Sequence, residues 1–172
     1  MLVFDIETNG LLHDVSAIHC IATLQTETKE SCVFNHRGDQ SGTVEDGIHQ
    51  IMEAETVAGH NIINFDLPVI RKLYNRVRDN DGIIDTLVLS RLYHPNLIEI
   101  DKKRQWQHMP LQLYGRHSLE AYGYRLGEYK GDFGKTSDWQ EWSQEMQDYM
   151  VQDVKVTTKL CEHFRPLMMR VG

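Results

Sequence analysis

Residues 2–7, Leu-Val-Phe-Asp-Ile-Glu, form an apolar run with two carboxylates at its end. Such a run predicts a strand buried within a sheet. Side chains alternate along a strand with period two, so Asp5 and Glu7 point the same way. Like charges that close repel unless a cation lies between them, and hard divalent cations prefer oxygen ligands. The run therefore predicts a Mg²⁺ or Mn²⁺ site at the C-terminal end of a first strand. A D-x-E pair arises about once by chance in a chain this acidic. Its meaning depends on partners elsewhere in the chain.

Composition narrows the field. The 172 residues suit one domain, 1–172, with 41% hydrophobic and 25% charged residues. No apolar run approaches the roughly 20 residues of a membrane span, and the N-terminus has no signal-peptide pattern. The three cysteines (Cys20, Cys32, Cys161) form no C-x-x-C, which predicts reduced thiols in a cytoplasm-like compartment. None of the nine histidines stands in an H-E-x-x-H motif. A net charge of −7 opposes simple nucleic-acid binding, yet it is compatible with a nuclease whose carboxylates hold metals.

The periodicity along the chain predicts an ordered series of elements. Residues 17–25 and 31–36 read as two further strands, joined by a hairpin at Thr26–Lys29. Thr43 caps a helix through about Ala54, with Ile48, Ile51 and Met52 on its apolar face. A fourth strand is expected at 57–60. A helix from Asp66 to about residue 79 follows, with Leu67, Val69, Ile70, Leu73 and Val77 inside and Arg71, Lys72, Arg76 and Arg78 on its solvent face. A fifth strand, 82–85, precedes a helix at 86–93 capped by Asp85. Residues 94–117 lack periodicity and read as a long loop. A short helix is expected after Ser118, then a Gly- and charge-rich turn at 127–136. Ser137 and Gln140 suit a capping box for a final helix over 138–165. This order predicts an α/β, ribonuclease H-like fold: a mixed five-stranded sheet, three antiparallel strands then parallel ones, flanked by helices. Open α/β sheets bind ligands at strand C-termini near a switch in strand order, where Asp5 and Glu7 would lie.

Two further motifs supply candidate partners. His60-Asn61-Ile62-Ile63-Asn64-Phe65-Asp66 follows the fourth strand, and Asp66 suits either an N-cap or a reach toward Asp5. Tyr149 and Asp153 share one face of the last helix by i, i+4 spacing. Taken together, hydrophobic-D-x-E, N-x-x-x-F-D and Y-x-x-x-D occur in the order of the DnaQ-like DEDD exonucleases. The chain resembles their Tyr-containing subgroup, since position 148, where the other subgroup carries His, is Asp148. The stretches Ile84–Leu92 and His117–Glu128 further resemble the proofreading domain of family A replicative DNA polymerases from short-tailed phages.

That resemblance implies a metal-dependent 3′→5′ exonuclease that releases 5′-mononucleotides from single-stranded DNA during replication. It implies two divalent cations, Mg²⁺ or Mn²⁺, with Asp5 bridging both. Glu7 and Asp153 complete the water-side ion, Asp66 serves the leaving-group ion, and Tyr149 orients the attacking water. Thr8 is matched to the terminal 3′-hydroxyl, Leu11 to an apolar wedge between the last two bases, and Asn61 and Phe65 to the pocket wall. The expected partners are a DNA 3′ end and a polymerase domain or subunit. The expected setting is a monomer in the cytoplasm of a bacterium or phage-infected host. An exoribonuclease of the same superfamily is the alternative; a ribonuclease H-like endonuclease or a silent nucleic-acid-binding module fits the motifs less well. Lys102-Lys103-Arg104-Gln105-Trp106 reads as a solvated loop around a packed Trp. His117 reads as structural, and Cys161 with Met168-Met169 as packing.

Overall fold

The computed structural model describes residues 1–78, 81–128 and 138–169. One mixed sheet of five strands forms the centre: β1 (Leu2–Thr8), β2 (Ile18–Gln25), β3 (Ser31–Asn35), β4 (Val57–Gly59) and β5 (Ile83–Asp85). Their spatial order is β3-β2-β1-β4-β5. The β1–β2 and β2–β3 pairs are antiparallel, and the β1–β4 and β4–β5 pairs are parallel. β1 is thus the strand at which sheet direction switches, as the order of apolar runs predicted.

The two parities of β1 face different helices. Leu2, Phe4 and Ile6 pack with Val44, Ile48 and Ile51 of α1 (Val44–Glu53) and with Val69 and Ile70 of α2 (Leu67–Tyr74). Val3 packs on the other face with Cys20, Ala22, Ala58 and Met146, Met150 and Val154 of the long helix α6 (Gln144–Met169). Asp5 and Glu7 have the parity of Val3, so the carboxylates share the α6 face. A third cluster joins Val156, Leu160 and Phe164 of α6 to Leu97 and Tyr122. These last two lie on α4 (Leu97–Arg104) and α5 (Leu119–Arg125), which follow α3 (Thr86–Tyr93).

Thr43 caps α1 as expected, through a reciprocal pair with Asp46. The helix predicted over 67–79 is shorter. It stops at Tyr74 because Asn75 turns left-handed (φ 53°) and returns its amide to Arg71 O. Val77 is consequently 67% exposed, not inside. Arg78 is not on a solvent face either. Its guanidinium donates to the carbonyls of Ile51 (2.9 Å), Met52 (3.3 Å) and Glu55 (2.6 Å), satisfying the open end of α1.

The stretch 94–117 contains a helix where a loop was expected. α4 escapes periodicity analysis because its apolar Ile98 and Ile100 face solvent, 42% and 38% exposed, while Asp101 is fully buried. Burial alone pushes the Asp101 carboxyl up, but Arg125, the Gly115 amide and the Trp106 indole outweigh it and hold the group below its usual value. Arg125 binds it in two-pronged fashion (3.0 and 2.7 Å), Gly115 N at 2.8 Å and Trp106 Nε1 at 2.9 Å. Trp106 is thus packed, with the Arg104 guanidinium 4.9 Å over its ring. The final helix begins later than predicted, at Gln144, where Ser143 Oγ accepts from Met146 N (3.1 Å). Trp139 and Trp142, expected inside that helix, pack against its Met146 and Met150 cluster instead. The proposed cap at Ser137, and the turn from 129 onward, lie outside the described residues. Cys161 is buried as expected, but Met168 and Met169 are 36% and 74% exposed and are not core residues. Among the described residues no helix is long and apolar enough to cross a membrane.

Asp101 gives a test of how segment 94–117 is held. A carboxylate with a depressed folded pKa contributes stability that is complete above its unfolded value of about 3.9 and vanishes as pH falls through the folded value. Asp101→Asn should therefore cost about 3–5 kcal/mol near neutral pH, because it leaves Arg125 buried without its counter-charge. The deficit should shrink below about pH 4, where the unfolded wild type takes up a proton on Asp101 and the native charge stabilises the fold less. Chemical denaturation at pH 7 and pH 3 measures both; an equal deficit at the two pH values would contradict this account.

Candidate active site

Asp5 and Glu7 end β1, paired across the sheet with Ala22 and Cys20. Asp153 comes to them from α6, one residue before Val154, which packs on the sheet. One oxygen each of Asp5, Glu7 and Asp153 lies within 4.8 Å of the others. Glu7, Asp66 and Asp153 are all nearly buried. Three carboxylates of two separate elements therefore converge where water is scarce, an arrangement that is costly without a cation.

The electrostatics agree. Burial is the first cause that raises the Asp5 carboxyl well above its usual value, and the charges of Glu7, Asp153 and Asp66 add to it. Asp66 is raised as well, first by burial, with the Ile6 amide and its own amide pulling down and Asp85 and Asp153 pushing up. Beside Glu7 and Asp5, the Cys20 thiol is raised, chiefly by burial and then by those two charges. Oδ2 of Asp5 and Oδ2 of Asp66 are buried and accept no hydrogen bond among the described residues. Buried acceptors in that condition fit a hard, oxygen-seeking divalent cation.

Asp66 is not among the three carboxylates whose oxygens lie within 4.8 Å, but its charge acts on Asp5, and unusual backbone carries it there. It is not the N-cap it resembles: its backbone is helical, and its side chain caps nothing. It is the last residue of a π-helical turn, Ile62–Asp66, closed by Leu67 N on Ile62 O. Such wide turns cluster at functional sites. Asn61 enters the turn left-handed (φ 66°). Just before it, Gly59 lets β4 lie against β1. A Cβ there would sit 2.3 Å from Ile62 Cγ2 and 3.0 Å from Phe4 O.

Tyr149 lies one turn before Asp153 on α6 and is half-buried. Its ring meets Trp139 edge-on, centroids 6.5 Å apart. The Trp139 carbonyl is in turn 2.9 Å from His19 Nε2, on the residue next to Cys20. These contacts hold the tyrosine at the carboxylate end of the sheet. Thr8 is nearly buried, and its hydroxyl donates to Gly10 O (2.8 Å). The loop after it is tied by Asn9 to Ser16 and Ala17, by Asp14 to Leu11 N, and by Lys72 Nζ to Leu12 O. That loop holds Leu11 65% exposed, so Leu11 is not a packing residue. Phe65 is half-buried against the Leu2–Phe4–Ile6 core.

Asp85 does cap α3, accepting from Leu87 N at 2.9 Å. Its carboxylate also accepts from Asn61 N (2.9 Å) and Ile63 N (3.0 Å), contacts that local spacing does not signal. His117 is structural as expected: its ring bonds Ser90 Oγ (2.6 Å), and its carbonyl meets His60 Nε2 (2.9 Å).

Comparison with known proteins places this geometry. The DNA-directed DNA polymerases of Escherichia phage T7 and Enterobacteria phage T3 are each 35% identical to the chain over 187 residues. Each alignment takes in 94% of this chain but 26% of the polymerase, so the chain spans about a quarter of these relatives. Among solved structures, a nuclease in its apo form superposes with a TM-score of 0.66 at 18% identity, over 99% of this chain and 74% of that one. The family B DNA polymerase of the archaeon Pyrobaculum calidifontis gives 0.54 at 16% identity, over 96% and 24%. At those identities the two likenesses speak for the fold alone. The sequence profile of the RNase H superfamily matches residues 2–165, and with the mixed sheet just described it shows that the chain belongs to that superfamily.

Proposed function

We propose that this domain is a divalent-metal-dependent 3′→5′ exonuclease that shortens single-stranded DNA by one 5′-mononucleotide at a time. The observation that carries the reading is the buried convergence of Asp5, Glu7 and Asp153, within 4.8 Å of one another, one helical turn from Tyr149. The likeness to phage DNA polymerases favours DNA over RNA and proofreading as the setting. On this reading 1–172 is one catalytic domain that works as a monomer beside a polymerase domain or subunit.

Asp5, Glu7, Asp66 and Asp153 would hold two cations, Mg²⁺ or Mn²⁺. When bound, such ions supply charge stabilisation at the attacking and leaving oxygens and lower the pKa of water. The chain's own residues do the rest. Tyr149 orients the attacking water through its hydroxyl. The raised carboxyls of Asp5 and Asp66 become acceptable as anions only against a cation, which ties the site's charge state to its loading. Thr8 stands at the terminal 3′-hydroxyl. Leu11, held outward by its tied loop, inserts between the last two bases. Asn61 and Phe65 line the wall against which the terminal nucleotide rests.

Two experiments test this. Single-stranded DNA labelled at its 5′ end should give a ladder shortening from the 3′ end with Mg²⁺. EDTA, or the double substitution Asp5→Ala with Glu7→Ala, should abolish the ladder. Activity that survives that double substitution would end the assignment, and faster cleavage of an RNA oligomer run in parallel would move it to exoribonuclease. Separately, Tyr149→Phe should slow the rate by up to about 100-fold, the scale of a misplaced reactant. It should leave Mn²⁺ affinity unchanged by calorimetry; loss of Mn²⁺ binding would contradict the orienting role.

A further inference from the structure

Asp66 is the carboxylate whose placement depends most on non-standard backbone. It follows a left-handed Asn61 and closes the π-helical turn Ile62–Asp66. A π turn holds one residue more than an α turn. If this segment relaxed to α geometry, each residue beyond the change would rotate by roughly 100° about the helix axis. Asp66 would then swing away from Asp5. Something must hold the wide turn open.

The Asp85 carboxylate is placed to do so. It is 4% exposed and ends β5, in register with Gly59 at the end of β4. Oδ1 accepts from Asn61 N at 2.9 Å and from Leu87 N at 2.9 Å, and Oδ2 accepts from Ile63 N at 3.0 Å. Asn61 N and Ile63 N bracket the start of the π turn. Among the described residues neither amide bonds a main-chain carbonyl, as befits the opening amides of a helix. A charged acceptor serving both at once fixes the left-handed entry and the phase of the turn together. The next residue, Thr86, reinforces the grip: its hydroxyl donates to Gly59 O (3.3 Å) and meets His60 Nδ1 (2.8 Å). With both oxygens engaged by main-chain amides, Asp85 is a support for the site and not a metal ligand itself.

We propose that Asp85 is a positioning residue for Asp66: by holding the amides of Asn61 and Ile63 it sets the π turn that turns the Asp66 carboxylate toward Asp5. The inference rests on the reading of Asp66 as a metal-holding carboxylate. A role confined to capping α3 would need only the Leu87 bond. The two roles separate in Asp85→Ser, because serine is a good N-cap but too short to reach across to Asn61 and Ile63. The test is a double-mutant cycle in Mn²⁺ affinity over wild type, Asp66→Asn, Asp85→Ser and the double variant. It is read by calorimetry beside thermal melts and amide exchange of the metal-free proteins. Positioning predicts that Asp85→Ser weakens Mn²⁺ binding about as much as Asp66→Asn, roughly tenfold, and that the double variant is no weaker than Asp66→Asn alone. It also predicts faster exchange at Asn61 and Ile63 with Leu87 still protected. Wild-type Mn²⁺ affinity in Asp85→Ser, or multiplied losses in the double variant, would overturn the proposal. If Asp85→Ser does not fold, Asp85→Asn replaces it in the cycle, since it keeps one acceptor and presents an amide donor to Ile63 N. Absence of nuclease activity in wild type would sink the proposed function and leave this cycle readable. Absence of wild-type Mn²⁺ binding would sink the metal reading, and amide exchange at Asn61 and Ile63 would then decide whether Asp85 holds the turn.

Discussion

Mutual repulsion among buried carboxylates is the constraint around which this molecule is arranged. Asp5 feels the charges of Glu7, Asp153 and Asp66, and burial makes each of those repulsions more costly. A fold does not assemble such a group for its own stability, since buried uncompensated charge is among the largest penalties a chain can carry. The rest of the structure works to hold these groups together against that penalty. β1 is hydrophobic on both faces up to Asp5, and the first half of α6 is fastened to the sheet by Met146, Met150 and Val154. Those apolar contacts supply the adhesion that the site itself lacks.

The supporting elements share one pattern: charged or polar side chains bonded to main-chain groups where regular structure ends. Arg78 closes α1, Asp101 anchors the turn at Gly115, and Asp85 grips the entry to the π turn. Each replaces hydrogen bonds that a helix or strand would otherwise provide. Each also makes a local irregularity reproducible, and the π turn that Asp85 holds is the one that carries Asp66. The π turn and Gly59 bring Asp66 in close under β1; the tied loop after Thr8 holds Leu11 outward.

What the sequence revealed followed from periodicity and charge. The five strands and their order, α1 with its Thr43 cap, and the shared face of Asp5 and Glu7 all come from period-two or period-3.6 patterns with ordinary turn residues. Elements stabilised by tertiary partners were hidden. α4 has its polar Asp101 inward and its Ile98 and Ile100 outward, the reverse of an amphipathic helix. The end of α2 depends on a left-handed Asn75, and Arg78 looks like a surface cation until its carbonyl partners are seen. The candidate site was proposed from three motifs, each weak on its own, because together they resemble the DEDD exonucleases in order. Asp66 was ambiguous because an N-cap and a ligand look alike in sequence, and the amide contacts of Asp85 come from residues more than twenty positions away.

The central claim is that these carboxylates are held together for a cation and strain the fold without one. It is tested most directly by the thermal stability of wild type and Asp5→Asn, each measured in EDTA and in Mn²⁺. The account predicts that Mn²⁺ stabilises wild type, by about 2.7 kcal/mol at 100 times its dissociation constant. It predicts that Asp5→Asn is more stable than wild type in EDTA and gains little from the metal. A variant less stable than wild type in EDTA, with Mn²⁺ leaving both unchanged, would contradict it.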